Sequence, residues 1–376
     1  MDSSPGSGSA VVARATDLQL LRDGASWPGV PPNFFGIPFG LVGLSEAWHA
    51  ASRTLGASAV VPDAVDILAA SVWLVLVMAY AARGPRSVIA DLRDPVLAPF
   101  VPVAAITGML LGSALSAYAF AAGRVLVVVF LAITILVGGW LTGQWVVSDL
   151  DQGKLHPGYF LPTVAGGLVG AFCAAQVHLH AVGEASFGIG ILCWVLLGSI
   201  LLNRLFFHPG LPAPLVPTLA IELAPPAVAG IALFALNGRV ASPLACALGG
   251  YAVLMAVVQL RFLPLYFKLS FSPGFWAFTF SYAAAATDGL LWISVKKPAG
   301  SPVYAGCIVI AITALVGIIS ARTLHLLRGG RLFVPVPLAT DKPTDIKQFR
   351  PASASRPLAP TGATEPTQSR EEEPRA

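Results

Sequence analysis

Residues 121–146 read AAGRVLVVVFLAITILVGGWLTGQWV, and Arg124 is the one charged side chain in this stretch of 26 residues. A helix needs about 20 consecutive apolar residues to cross the hydrocarbon core of a bilayer. The stretch is therefore long enough and apolar enough to be a membrane-spanning helix. It predicts that lipid, rather than water, is the main solvent of this chain.

Nine further stretches have the same character and are separated by short segments that contain proline, glycine and charged residues. The ten apolar stretches lie approximately at 33–51, 63–82, 98–117, 121–146, 158–181, 185–206, 214–236, 241–267, 271–293 and 302–327. Because the connecting segments are short, we expect successive helices to be antiparallel neighbours. The sequence thus predicts an all-α integral membrane protein with ten transmembrane helices arranged as five helical hairpins.

The composition supports this class of protein and excludes others. Of 376 residues, 56% are hydrophobic and 11% are charged, whereas about 25% of the residues in an average soluble domain are charged. The formal net charge is +4, but no basic cluster is interleaved with aromatic residues and no zinc-finger or helix-turn-helix spacing occurs. We therefore predict no nucleic-acid partner.

Sequence motifs for catalysis and for metal binding are also missing. The chain has no GxSxG, HExxH or GxxxxGK[ST] motif, which argues against a hydrolase, a zinc protease and a P-loop enzyme. Its four cysteines have no CxxC spacing, which would be typical of a metal knuckle or a redox site. We predict a protein that is not an enzyme and that needs neither a cofactor nor a metal.

Basic residues are distributed unevenly between the two sides of the predicted membrane domain. The connecting segments on the side of both termini carry twelve lysines and arginines, and those on the opposite side carry five. The positive-inside rule then predicts two cytoplasmic termini in a bacterial-type inner membrane. We assign 33–328 to the membrane domain, 1–32 to an N-terminal tail and 329–376 to a C-terminal tail, both largely disordered.

Proline recurs in the first helix of four predicted hairpins. Pro38, Pro102, Pro162 and Pro225 lie in the first, third, fifth and seventh stretches. Proline removes a backbone donor and kinks a helix, which a membrane tolerates where neighbouring helices or a water-filled cavity satisfy the freed carbonyl groups. The first helix of these hairpins is therefore predicted to differ from the second. The ninth stretch has no proline beyond Pro273 at its start and contains FWAFTF at 275–280 instead.

Three carboxylates within or beside the apolar stretches are candidates for a functional role. Glu222 lies one turn before the pair Pro225-Pro226, where an opened backbone can donate hydrogen bonds to it. Two interpretations stay open: a proton-binding or substrate-sensing group in a pore, or a structural carboxyl held by a neighbouring helix. Asp149 and Asp288 lie nearer the ends of their stretches, so we predict solvated or helix-capping roles for them.

Four short motifs resemble those of a known family. NFFGIPFGL at 33–41, HP and YFLP at 156–162, LAP at 223–225 and GFWAFTF at 274–280 occur in the order and spacing of the tellurite-resistance/dicarboxylate transporter family. That family includes the bacterial TehA proteins, the plant slow-type anion channels and fungal malate and sulfite transporters. The resemblance extends from about Asn33 to about Arg328.

This resemblance implies a specific architecture and specific pore residues. The family fold has ten helices in five hairpins around a pseudo-five-fold axis, with the kinked first helices lining a pore through each subunit of a homotrimer. Phe280 matches the aromatic residue that closes the pore at mid-membrane, and Gly36 matches a small residue beside the pore. The pore-lining candidates are Gly36, Pro38, Pro102, Pro162, Glu222, Pro225 and Phe278.

The expected function is passage of small inorganic or organic anions through this pore, gated by Phe280. Glu222 stands where the bacterial TehA proteins have an apolar residue, and a charged carboxylate repels anions. The first alternative is therefore a proton-coupled transporter or exporter of a dicarboxylate, sulfite or an oxyanion such as tellurite, with Glu222 as the titrating group. An intramembrane enzyme or a non-transporting scaffold is a second alternative, which the absence of catalytic motifs disfavours.

Overall fold

A computed structural model describes residues 29–330 and residue 332. All regular secondary structure in the described residues is helical, and they contain no β-strand. In chain order the α-helices are α1 (Gly36–Leu55), α2 (Val60–Ala81), α3 (Pro85–Arg93), α4 (Val103–Leu115), α5 (Phe120–Val147), α6 (Gly166–Gln176), α7 (His180–Phe207), α8 (Ala224–Leu236), α9 (Pro243–Tyr266), α10 (Trp276–Lys296) and α11 (Ser301–Arg328).

The prediction of an all-α fold is confirmed, and each predicted apolar stretch coincides with a helical segment. The stretch at 121–146, for example, corresponds to α5. The predicted tails at 1–32 and 329–376 lie almost wholly outside the described residues.

The helices fall into two groups that differ at their N-termini. We call α1, α4, α6, α8 and α10 the inner helices, and α2, α5, α7, α9 and α11 the outer helices. Each inner helix follows an irregular helical turn that contains a proline, whereas the outer helices are continuous over 22 to 28 residues. The irregular turns are Pro32–Phe35, Ala98–Phe100, Pro157–Phe160 with Leu161–Ala165, Ala213–Leu223 and Pro273–Phe275.

Proline explains why these turns are tight. Its ring fixes φ and it has no N–H to donate, so it is well tolerated in a first turn, where that donor would have no partner in the helix. Five of these segments adopt 3-10 geometry, and Leu161–Ala165 forms a π-helical turn. Such geometry is most common in short pieces near helix ends.

Burial separates the two groups further. In the apolar windows of the outer helices, only 11–28% of the residues are buried, whereas 67–89% are buried in Ala98–Leu115, Pro157–Gln176 and Ala213–Leu236. Eight segments, these three and the five outer helices, are long and apolar enough to cross a membrane. An exposed surface this apolar requires lipid around it, so the chain is a multi-pass membrane protein.

The inner helices contact one another in sequence order, and α10 returns to contact α1. Each outer helix packs against the inner helix that precedes it. The contact between α1 and α10 depends on glycine: a Cβ atom added at Gly43 would lie 3.1 Å from the Ala283 Cβ and 3.1 Å from the Phe280 ring. The absence of a side chain at Gly43 therefore lets the Phe280 ring lie against α1.

The predictions for Asp149 and Asp288 have different outcomes. Asp149 is exposed after the end of α5, as predicted. The prediction for Asp288 is wrong, because its side chain is buried between α10 and α8. Gly230 of α8 leaves the space that the Asp288 carboxyl occupies, since a Cβ at Gly230 would meet it.

Candidate functional site

A cavity of about 230 Å³ lies at the end of the molecule where the inner helices begin. We call it the wide cavity. Residues in the first turns of all five inner helices line it, and no lining side chain is ionisable. Representative lining residues are Gly36, Val103, Leu168, Ala224 and Trp276. Five helix N-termini, with their partial positive charges, therefore face one uncharged space.

Two stacked aromatic rings line the wide cavity. The ring of Phe280 stacks on the ring of Phe39 with a centroid distance of 3.6 Å and an interplanar angle of 13°. Phe280 lines both the wide cavity and a second cavity of about 30 Å³, which we call the narrow cavity. We call Phe39 and Phe280 the barrier pair, because Phe280 lies at the junction of these two cavities and Phe39 stacks on it.

Glu46 lies beyond the barrier pair, where the narrow cavity meets a third cavity of about 40 Å³. We call the third one the mouth cavity. Glu46 lines both, and among the described residues its carboxyl has no hydrogen-bond or ion-pair partner. The path from the wide cavity to the mouth cavity therefore passes a free carboxyl group.

The mouth cavity is lined by ionisable and polar side chains. Arg53 from the last turn of α1, Gln176 at the end of α6 and Arg239 from the loop after α8 all line it. His49 also lines it and lies 3.3 Å, Nε2 to Oδ2, from Asp66 of α2. The end of the path where the inner helices finish is thus charged, unlike the end where they start.

The three cavities follow one another along the same helices. On α1, Gly36 and Phe39 line the wide cavity, Gly43 and Glu46 the narrow cavity, and Arg53 the mouth cavity. The helical segments α8 and α10 contribute to the three cavities in the same order. At 1.5 Å per residue, the distance from Gly36 to Arg53 is about 26 Å, close to the ~30 Å thickness of a bilayer core.

Comparison with known proteins agrees with this geometry. Residues 29–324 match the family described as voltage-dependent anion channel, or SLAC1. The chain belongs to the SLAC1 family. The resemblance that the sequence motifs predicted is thereby confirmed.

Two relatives of this SLAC1-family chain are proteins of a bacterium and an archaeon. It is 28% identical over 314 residues to the tellurite resistance protein TehA homolog of Haemophilus influenzae, which covers 81% of this chain and 93% of that protein. It is 24% identical over 239 residues to an uncharacterized transporter of Methanocaldococcus jannaschii, which covers 57% of this chain and 70% of that protein.

The predicted pore residues of this SLAC1-family protein fall into two sets. Gly36, Pro225 and Phe280 line the wide cavity. The others lie outside its lining, and these are Pro38, Pro102, Pro162, Glu222 and Phe278. Pro102 directly precedes the lining residue Val103, and Pro162 directly follows the lining residue Leu161.

Glu222 and Phe278 both lie toward α9. The Glu222 carboxyl is electrostatically coupled to Tyr251 and Tyr266 of α9, and one of its oxygens is buried without a hydrogen bond in the described chain. The ring of Phe278 packs on the ring of Tyr266 with a centroid distance of 4.7 Å. Both side chains therefore contribute to the contact between inner and outer helices.

His156 stabilises one wall of the wide cavity. The Gly158 N–H donates to its Nδ1 at 3.1 Å, and its Nε2 lies 3.3 Å from the Val96 carbonyl oxygen. Since Nδ1 accepts, Nε2 carries the proton and donates to Val96. Burial lowers the pKa of His156 to about 4, so the imidazole is neutral at pH 7 and holds Val96, a lining residue, in position.

Sequence analysis missed Phe39, Glu46, Arg53 and Arg239 as site residues. The first three had a detectable signal, because positions 39, 43, 46, 50 and 53 alternate in steps of four and three and so share one face of α1. Arg239 had none, since it belongs to a different helix and reaches the mouth cavity through the tertiary fold.

Proposed function

We propose that this chain lets small anions cross a bacterial-type inner membrane through a path within each subunit. The observation that carries the proposal is the succession of three cavities along the inner helices, interrupted only by the barrier pair and by Glu46. Membership of the SLAC1 family agrees with an anion as the transported species.

The proposed membrane arrangement has ten crossing helices as five hairpins around a pseudo-five-fold axis, with both termini in the cytoplasm. Support comes from the closed ring of contacts among the inner helices and from the apolar surfaces of the outer helices. In α1 and α10, Glu46, Arg53 and Asp288 reduce the apolar character, but neighbouring helices enclose both segments. We also propose a homotrimer, which the mass of the purified complex tests.

The wide cavity would admit anions without trapping them. Five helix N-termini provide a positive potential from backbone dipoles, and no cationic side chain holds the ion. Rapid conduction needs binding that is strong enough for entry and weak enough for release. With the termini in the cytoplasm, this cavity opens toward the cytoplasmic side.

Phe280 would be the gate of this path. Its ring lines both the wide and the narrow cavity and stacks on the Phe39 ring, so the two rings together would block the junction. A bulky apolar ring in a narrow passage raises the barrier for an ion by occlusion and by dewetting. Movement of the Phe280 side chain away from Phe39 would open the path.

The test of the gate is Phe280→Ala in proteoliposomes, with chloride and nitrate flux measured under a fixed voltage. We expect flux to rise at least about tenfold, because the variant removes an apolar barrier. Phe275→Ala is the matched control, since that ring lies on the same segment but packs against Phe271 and Phe278. An unchanged flux in correctly folded Phe280→Ala protein would reject the gate.

A proton-coupled transporter is the second candidate function, and Glu46 is the observation that favours it. A carboxyl on an anion path repels anions when ionised, so transport becomes favourable when a proton accompanies the anion. Glu222 is the other candidate for the titrating group. Flux driven by a pH gradient at zero voltage would support coupling, and Glu46→Gln and Glu222→Gln would identify the group whose loss abolishes it.

A further inference from the structure

We propose that the mouth cavity is a binding site for one small inorganic anion, formed by the guanidinium groups of Arg53 and Arg239. The site is separated from the wide cavity by both Glu46 and the barrier pair. Its role in transport rests on the proposed function, but its existence as a binding site does not.

The two arginines approach one cavity from different parts of the chain. Arg53 lies in the last turn of α1, and Arg239 lies three residues after the end of α8. The loop fixes Arg239: its backbone has a φ of 65°, and its N–H donates to the Phe234 carbonyl oxygen at 2.8 Å. Phe234 is in turn anchored by an edge-to-face contact with Trp292 at 5.1 Å between ring centroids.

No carboxylate neutralises this pair. Among the residues that the structure describes, neither guanidinium forms an ion pair, and Asp66 pairs with His49 instead. The charges of Arg53 and Arg239 are close enough to repel each other. A bound anion would relieve that repulsion by accepting charge-assisted hydrogen bonds from both groups.

Glu46 is the nearest opposing charge, and it lies deeper in the path. It is electrostatically coupled to Arg53, but the two positions are seven residues apart on α1, which is about 10 Å along the helix axis. Glu46 therefore leaves one positive charge in the mouth cavity without a counter-charge. Gln176 adds a side-chain amide that has no hydrogen-bond partner in the described chain.

The guanidinium groups favour one class of anion. The mouth cavity, of about 40 Å³, has room for a small anion. The planar guanidinium fork matches the geometry of oxyanions. Nitrate, a small planar oxyanion, is therefore the most suitable probe.

Binding can be tested on purified full-length protein in detergent. The probe is sodium nitrate at constant ionic strength, balanced with gluconate, and the readout is the saturable rise in thermal unfolding temperature. We expect Arg53→Gln and Arg239→Gln each to weaken nitrate binding by roughly tenfold, as for loss of a charge-assisted hydrogen bond. The double variant should show no saturable shift.

Arg124→Gln is the matched control, because Arg124 is exposed, as Arg53 and Arg239 are, but lines none of the three cavities. It should bind nitrate as the original chain does. Arg239→Lys keeps the charge but loses the fork, so it should weaken nitrate more than chloride. If the folded double variant binds nitrate with unchanged affinity, or if no saturable shift occurs in the original chain, the site is wrong.

Flux measurements on the same variants separate this inference from the proposed function. Arginine-dependent nitrate binding without any flux would reject the transport proposal and leave the site standing. Flux in all variants, with no arginine-dependent binding, would reject the site and leave the transport proposal standing.

Discussion

The two ends of the proposed path would attract anions by different means. The wide cavity has no ionisable lining and lies where five helices begin, whereas the mouth cavity contains two arginines and lies where α1, α6 and α8 end. Helix N-termini carry partial positive charge and helix C-termini partial negative charge. Backbone dipoles thus favour an anion at the wide end and oppose it at the mouth, where cationic side chains must provide the attraction.

One substitution should remove the favourable potential of the wide end. Asn33 lines the wide cavity, and its Oδ1 is buried without a hydrogen-bond partner in the described chain. Asn33→Asp adds one negative charge with almost no change in shape. We expect anion flux to fall by about tenfold or more, because a negative charge in a low-dielectric space repels an entering anion strongly.

Asn33→Gln is the control for this experiment, since it stays neutral and changes only the length of the side chain. Flux through proteoliposomes should remain near the original value in that variant. An Asn33→Asp variant that conducts as well as the original chain would mean that the wide cavity is not on the route.

Removal of the Phe39 ring should lower the barrier between the wide and the narrow cavity. Phe39→Ala leaves Phe280 without its stacking partner, so we expect flux to rise severalfold, less than in Phe280→Ala, because the Phe280 ring still narrows the junction. In Phe39→Ala/Phe280→Ala the two effects should not add, since contacting residues couple. Simple additivity in measured flux would contradict a shared barrier.

Glu46→Gln should reduce the electrostatic difference between the two halves of the proposed path. The amide keeps the size of the side chain but removes the negative charge between the narrow and mouth cavities. We expect anion flux at pH 7.5 to rise by about two- to fivefold, with a larger rise for divalent sulfate than for nitrate, because repulsion grows with ion charge. Equal changes for both anions would rule out an electrostatic role for Glu46.

Sequence reasoning recovered the helices and the difference between proline-bearing and continuous helices, because both depend on local composition. Phe280 came only from the family motif, since nothing in FWAFTF distinguishes an aromatic residue at a junction from one in a core. In the structure Phe278, two residues earlier, packs against α9, whereas Phe280 reaches the cavities. Two positions along a helix are about 200° apart.

Glu222 shows why the direction of a side chain was harder to predict than the position of a helix. Ala213–Leu223 is a 3-10 helix with three residues per turn, so Leu215, Thr218 and Ile221 share the face that lines the wide cavity. The next residue, Glu222, is turned about 120° away from it. If α-helical geometry is assumed on both sides of the Pro225-Pro226 pair, the Glu222 side chain is predicted to point in a different direction.

A separate expected effect concerns the acid stability of the wide end, not anion flux. The folded pKa of His156 is about 4, below the ~6.5 of an unfolded histidine, so its contribution to stability is present above pH 6.5. It should be lost as the pH falls toward 4, by up to about 3 kcal/mol. Protonation of Nδ1 would also remove the acceptor for the Gly158 N–H.

Thermal unfolding of the purified protein between pH 7.5 and 4 measures this loss. His156→Asn should be less stable at pH 7.5, because the buried hydrogen bonds to Gly158 and Val96 are changed, but its stability should depend less on pH. His180→Asn, at an exposed site, should retain the full acid dependence. If His156→Asn retained it too, another group would be responsible, and the neutral imidazole would not be what holds Val96 at the wall of the wide cavity.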